Sequence, residues 1–257
     1  MRTAMIKKSI KEIRQEFLCT PDGELEAFIA LYQADPRAGV QSLVAQAEKR
    51  RRKQQEEWER IETLRVYENQ YAQYELICGI DEAGRGPLAG PVTAAAVILP
   101  RDSHILYIND SKKLTPKKRE ELFDVICDEA VSCSVGMASP SRIDEINILQ
   151  ATYEAMREAI SQLDPAPELL LNDAVTIPGI DIPQVPIVKG DARSISIGAA
   201  SIVAKVTRDR LMNQYDRLYP EYGFAAHKGY GTAEHIAALK TYGPCPIHRK
   251  TFIGHFV

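Results

Sequence analysis

Four acidic residues close three apolar runs. Leu76-Ile77-Cys78-Gly79-Ile80 ends in Asp81 and Glu82, Leu169-Leu170-Leu171-Asn172 ends in Asp173, and Ile187-Val188-Lys189-Gly190 ends in Asp191. Each acid taken alone reads as readily as a turn aspartate or a helix N-cap. Together they ask for more, because strand ends in an α/β sheet lie side by side, where the four carboxylates would converge. Two adjacent carboxylates at the end of a buried strand are costly unless a cation neutralises them. No Cys or His stands at ligand spacing, so the donor set is all oxygen and suits a hard divalent cation such as Mg2+. A pair of such ions about 3.5–4 Å apart serves in-line phosphodiester cleavage, one activating water and the other stabilising the leaving oxygen.

Three further groups of residues carry chemistry. Gly84-Arg85-Gly86 lets the backbone approach a ligand closely, although a plain hairpin connection reads equally well. It is no dinucleotide fingerprint: the third glycine, Gly90, comes one residue late and Pro87 interrupts the expected helix. Ser201, Lys205 and Arg208 share a helix face at i, i+4 and i+7, and Lys112 and Lys113 follow Asn109-Asp110-Ser111. One basic residue is ordinarily a solvated one; as a set these are candidates for phosphate contacts. Tyr230 sits between Gly229 and Gly231, where an aromatic either packs its loop or stacks on a sugar or base.

The elements that must position these residues follow from the pattern. Residues 1–72 read as a helical N-terminal extension. Thr20-Pro21-Asp22 starts a helix with Leu25, Phe28, Ile29 and Tyr32 inward, and Asp35-Pro36-Arg37 starts another running from about Val40 to Tyr71. Its Lys49–Lys53 run is a solvated face or a phosphate-contacting arm. Residues 73–257 alternate strands with helices. The runs ending at Asp81 and spanning Val92–Leu99 form a hairpin. A helix over 116–129, with Leu122, Val125 and Ile126 inward, starts at Thr115-Pro116. A strand over Val131–Met137, a helix opened by Asp144 over 146–163, strands at 168–173 and 186–189, a helix over 194–211 and one near 232–241 complete the pattern. The fold class is α/β, with a central mixed sheet flanked by helices.

Composition bounds the rest. The chain has 257 residues, 45% hydrophobic and 26% charged, with net charge −3. These values exclude a wholly disordered or fibrous chain. No apolar run approaches the roughly 18–20 residues of a bilayer span, and no apolar segment of a secretory leader follows the N-terminus. Five dispersed cysteines read as reduced thiols, so a cytoplasmic location and no membrane partner are expected. The absence of a long apolar surface stripe outside the N-terminal helices suggests a monomer. A pI of about 6.0 does not announce a nucleic-acid partner in bulk.

Four motifs, in order, resemble the type 2 ribonucleases H, specifically bacterial ribonuclease HII. They are Ile80–Val92 (IDEAGRGPLAGPV), Asn109–Leu114 (NDSKKL), Gly198–Asp209 (GAASIVAKVTRD) and His227–Thr232 (HKGYGT). The match covers about residues 72–257. The resemblance implies a ribonuclease H-like fold. It implies an endonuclease that cuts the RNA strand of RNA–DNA hybrids and nicks duplex DNA 5′ of an embedded ribonucleotide, leaving 3′-hydroxyl and 5′-phosphate ends. Asp81, Glu82, Asp173 and Asp191 would be the catalytic and metal-binding acids, with Mg2+ or Mn2+, two ions per site. Gly84, Arg85 and Gly86 would sense the ribose 2′-OH, and Tyr230 would lie against the neighbouring deoxyribose. The assignment of Asp173 rests on its position and strand context. The extension has no counterpart in shorter relatives, and its Lys49–Lys53 run would extend the duplex footprint. The competing reading is a nucleic-acid-binding protein without catalysis, in which the acids are caps and turn residues.

Overall fold

The computed structural model describes residues 8–256. The chain divides into two compact units, one up to Arg60 and one from Ile61 onward, ahead of the composition shift near residue 72.

The first unit is helical. α1 (Ile10–Cys19) starts at a capping box in which Ser9 and Glu12 satisfy each other's backbone N–H groups. A turn at Asp22–Glu24 leads into α2 (Leu25–Tyr32), and α3 (Ala38–Leu64) follows. Their apolar positions, among them Ile13, Phe17, Phe28, Tyr32 and Leu43, close one small core. The Lys49–Lys53 run lies on α3 with Arg50 paired to Asp22 at 2.5 Å and Arg51 to Glu26 at 3.8 Å. The single helix expected from Val40 to Tyr71 is two, because Arg65 leaves helical geometry (φ −93°, ψ 7°) between α3 and α4 (Val66–Gln70).

The second unit is built on strands β1 (Ile77–Ala83), β2 (Val92–Ile98), β3 (Ser132–Ala138), β4 (Leu169–Asp173) and β5 (Gln184–Ile187). The sheet order is β3-β2-β1-β4-β5. β1 pairs antiparallel with β2, as the hairpin reading requires, and parallel with β4; β5 adds in parallel. Strands buried on both faces need no polar alternation, and every residue of β2 is buried. Helices α5 (Pro116–Glu129), α6 (Pro140–Ser161), α7 (Ile195–Leu218), α8 (Phe224–His227), α9 (Ala233–Tyr242) and α10 (Lys250–Ile253) surround it. α7 packs on β1 and β2 from one face and α6 on β2 and β3 from the other. The expected mixed sheet flanked by helices is therefore observed.

Two glycines set how closely these layers approach. A Cβ at Gly79 would lie 2.0 Å from the Ser196 backbone of α7, and one at Gly136 would lie 2.1 Å from the Ala155 carbonyl of α6. The sheet thus carries α7 almost backbone to backbone, and with it the residues that face the strand ends.

Some element boundaries differ from expectation. α6 begins at Pro140 behind the Ser139 cap, and Asn147 (φ 69°) interrupts it. The Asn147 carboxamide oxygen accepts from Leu149 N and Gln150 N, restarting the helix as a cap would. Asp144 opens no helix; its carboxylate accepts from Lys250 N and from Thr251 N and Oγ1, and so caps α10 instead. α7 runs to Leu218, beyond the expected 211. On α5, Leu122 and Ile126 are buried but Val125 is exposed. No described helix is long and apolar enough to cross a membrane.

Candidate active site

Strand register brings the first and second acidic segments together. Ile80 pairs with Asn172 in the parallel β1–β4 ladder, so Asp81 and Asp173 are the next residues on neighbouring strands. β4 continues the relation outward, with Asp173 opposite Ile187. The Asp173 Oδ1 accepts from Gly190 N at 2.7 Å and so holds the turn that carries Asp191. Both flanks are strained: Ala174 (φ 58°) follows Asp173 and Lys189 (φ 56°) precedes the Asp191 turn. On the far side of that turn, Glu68 of α4 accepts from Ser194 Oγ at 2.5 Å and Ser196 N at 3.1 Å, capping α7.

The electrostatics are those of like charges held out of water. Burial pushes the Asp81 carboxyl well above the usual carboxylate range; Glu82 pushes it further, Ser201 opposes the rise, and Asp173 adds to it. Glu82 is raised by burial first, with Arg85 opposing and Asp173 reinforcing. Asp191 is raised by burial, then by Asp110 and Asp173. The Glu82 Oε2 atom is buried with no hydrogen-bond partner. An orphaned carboxylate oxygen among carboxyls that resist ionisation is the environment a divalent cation would relieve. Among the described residues, no three His, Cys, Asp or Glu side chains form a preassembled ion cage. Remaining ligands would then be waters and phosphate oxygens, which Mg2+ ordinarily keeps.

A cleft of about 730 Å³ opens at this edge. Asp81, Glu82, Gly84, Arg85, Gly86, Lys112, Ser201, Lys205 and Tyr230 all line it. Asp173 and Asp191 do not line it; Asp173 acts on Asp81 and Glu82 at its edge, and Lys112 of the lining acts on Asp191. Arg85 pairs with Glu82 at 3.3 Å. Ser201 Oγ lies 3.0 Å from Ser111 Oγ, and its hydroxyl also reaches Asp81. The Tyr230 ring is 44% exposed, and a Cβ at Gly86 would sit 3.9 Å from its Cε1 atom.

Arg208 corrects the sequence reading. It is buried, and its guanidinium donates to the carbonyls of Pro91, Ala89 and Lys228, each at 3.0 Å. Buried and outside the cleft lining, it is not placed to meet a phosphate; the side chain holds the glycine loop from behind. Arg249, which no sequence signal singled out, does the same. It is fully buried and donates to the carbonyls of Gly84, Arg85 and Gly90. Burial lowers its pKa to about 9. The loop between β1 and β2 is therefore fixed by its carbonyls. Gly84 (φ +93°) has no room for a side chain, since a Cβ would meet Arg208 Nε at 2.0 Å.

The sequence reading also missed an ion-pair chain in the cleft wall. Lys205 Nζ donates to Asp209 Oδ1 at 2.7 Å, and Asp209 Oδ2 accepts from Arg119 Nη1 at 3.2 Å. The i, i+4 spacing of Lys205 and Asp209 carried that signal; the partner on α5 did not show.

Comparison with known proteins places these residues in context. The family described as Ribonuclease HII matches residues 78–255, and that described as Ribonuclease HII N-terminal domain matches residues 9–72. The chain is 60% identical to Ribonuclease HII of Lachnoclostridium phytofermentans over 244 residues, 95% of this chain and 96% of that protein. It is 53% identical to Ribonuclease HII of Clostridioides difficile over 255 residues, 98% of this chain and 100% of that one. Among solved structures, the ribonuclease H2 of Pyrococcus horikoshii OT3 superposes with a TM-score of 0.57 at 30% identity, covering 70% of this chain and 98% of its own.

Proposed function

This chain belongs to the ribonuclease HII family, a metal-dependent ribonuclease H, and on that premise we propose that it nicks duplex DNA 5′ of embedded ribonucleotides as well as cutting the RNA strand of RNA–DNA hybrids. Asp81, Glu82, Asp173 and Asp191 are the groups that would hold Mg2+ or Mn2+, two ions per site. When bound, such ions activate the attacking water and neutralise charge on the leaving 3′-oxygen, giving 3′-hydroxyl and 5′-phosphate ends.

The chain's own groups divide the remaining work. The backbone of Gly84–Gly86, held by Arg249 at the Gly84 and Arg85 carbonyls, presents the cleft with fixed polar groups for a ribose 2′-OH, the one group that marks a ribonucleotide within DNA. Arg85 offsets the charge of Glu82. Lys112 and Lys205 line the cleft and would meet phosphates, with Ser201 steadying Asp81 beneath them. Tyr230, half exposed across from Gly86, would pack on the adjoining deoxyribose.

The observation that carries this reading is the orphaned Glu82 oxygen beside the destabilised Asp81 carboxylate, at the foot of the glycine loop. The test is a duplex carrying one ribonucleotide, incubated with and without Mg2+ and mapped at nucleotide resolution. A single nick 5′ of the ribonucleotide that requires the ion supports the reading. Tight binding with no cut under either condition would return the chain to the non-catalytic alternative.

A further inference from the structure

Beneath Tyr230 lies a set of imidazoles that the acidic site does not use. His248 Nδ1 accepts from Cys245 N at 3.0 Å, closer than the Cys245 carbonyl at 3.3 Å, so its proton sits on Nε2. That Nε2 lies 3.0 Å from His235 Nε2. His235 Nδ1 lies 2.9 Å from the Tyr230 carbonyl, which can only accept, so the His235 proton sits on Nδ1 and its Nε2 is the acceptor for His248. The hydrogen bonds therefore run one way, from His248 through His235 to the backbone of Tyr230. Tyr230 N meanwhile donates to the His227 carbonyl at 2.9 Å, so this residue is pinned at both backbone ends while its ring stays in the cleft.

We propose that His235 and His248 are positioning residues for Tyr230, fixing its backbone through a directed hydrogen-bond chain that exists only while the His235 imidazole is neutral. The proposal rests on the reading above in which Tyr230 meets the substrate sugar. A second proton on His235 Nε2 would face the His248 N–H and break the chain, whereas a second proton on His248 Nδ1 would face the Cys245 N–H and leave Nε2–H donating to His235. The surroundings favour neutrality. Burial lowers the pKa of His235, and burial together with His235 pushes His248 down to about 4. The titratable neighbours are His227, stacked on His235 at 4.4 Å, Tyr222, whose ring is 5.0 Å from His248, and the Cys245 thiol. His227 is itself held, accepting from Gly229 N and reaching the Tyr222 carbonyl. The nearby charges are Glu234, whose carboxyl His227 helps to lower, Glu221, which acts on Cys245, and Arg249, next along the chain. No carboxylate hydrogen-bonds either ring among the described residues.

Two substitutions separate positioning from bulk. In His235→Asn the side-chain amide occupies the Nδ1 position and keeps the donor to Tyr230; in His235→Gln it occupies the Nε2 position and loses it. On the single-ribonucleotide duplex, His235→Gln is expected to raise KM about five- to ten-fold with a smaller change in kcat, the size of one lost hydrogen bond, and His235→Asn to stay within about two-fold. In a Tyr230→Ala background, His235→Gln adds nothing. Imidazole 15N spectra of the full chain at pH 7 report the tautomers directly, Nδ1–H for His235 and Nε2–H for His248, whatever the variants do. Opposite tautomers, a charged His235 ring at neutral pH, or a His235→Gln defect that adds fully to Tyr230→Ala would overturn the proposal. An unchanged KM in Tyr230→Ala alone would instead overturn the substrate contact assigned to that ring, and the spectra would still judge the chain.

Discussion

Arg249 Nη2 donates to the Gly84 carbonyl at 2.5 Å, so the residue that follows β1 is held by a side chain 165 positions further along. The same guanidinium serves Arg85 and Gly90. Hydrogen bonds to charged groups contribute about 1.5–3 kcal/mol, and a buried carbonyl left unpaired costs a similar amount. Arg249→Met should lose about 3 kcal/mol and lower the melting temperature by about 6–12 °C. Arg249→Lys should fall nearly as far, because an ammonium cannot reproduce the fork. Unchanged thermal melts would mean the loop carbonyls find other donors.

Asp81→Asn separates catalysis from folding. Cleavage should drop by about a thousand-fold or more, the scale of removing one transition-state-stabilising group. The fold should survive, and in EDTA the variant should melt higher than the parent at pH 7, because a carboxylate that resists ionisation is a net cost when charged. Mg2+ should raise the melting temperature of the parent and leave that of Asp81→Asn nearly unchanged. A variant that melts lower in EDTA would show that Asp81 is structural.

The acidic cluster also sets a pH dependence with a definite sign. Asp81, Glu82 and Asp191 all have folded-state pKa values above their free-chain values of 3.8, 4.5 and 3.8. The folded chain therefore holds more protons than the unfolded chain, and these groups lose stability as pH rises from about 4 through the raised values. Denaturation midpoints in EDTA, parent minus the Asp81→Asn, Glu82→Gln double variant, should fall across that interval. Mg2+ should flatten the difference. A difference that climbs with pH contradicts the assigned electrostatics.

Gly84 and Gly86 should respond differently to alanine. At Gly84 the left-handed backbone and the Arg208 contact make Gly84→Ala cost about 1–3 kcal/mol from backbone strain alone. Gly86→Ala meets only the Tyr230 ring at ordinary contact distance and should melt like the parent. Any loss in Gly86→Ala should appear in the ratio of cleavage at ribonucleotide-bearing duplex to binding of the all-DNA duplex. Equal melting losses in the two variants would remove the distinction.

The sequence made the strand ends legible because local rules govern them. Apolar runs bounded by glycine and proline gave β1, β2 and β4 nearly in place, and the acids that finish them are where the sheet puts them. Spacing on α7 set Ser201 and Lys205 on one face, and both line the cleft. It could not tell Arg208 apart from its neighbours, since the carbonyls that claim its guanidinium come from Ala89, Pro91 and Lys228, and chain return is not written in periodicity. The break at Asn147 was hidden for a related reason. A helix interior tolerates asparagine, and only the packing of Asp144 on α10 shows that the segment before it serves another element.

Arg208 and Arg249 direct every hydrogen bond the structure gives them to neutral peptide oxygens, and neither forms an ion pair among the described residues. Two cations thus stand without an ion-pair partner inside an acidic protein, behind the groove where a polyanion would pass. Charges so placed are shielded by salt far less than those on the surface. Part of the pull on a nucleic-acid strand would then come from the interior, and that share should persist at ionic strengths that silence the exposed lysines.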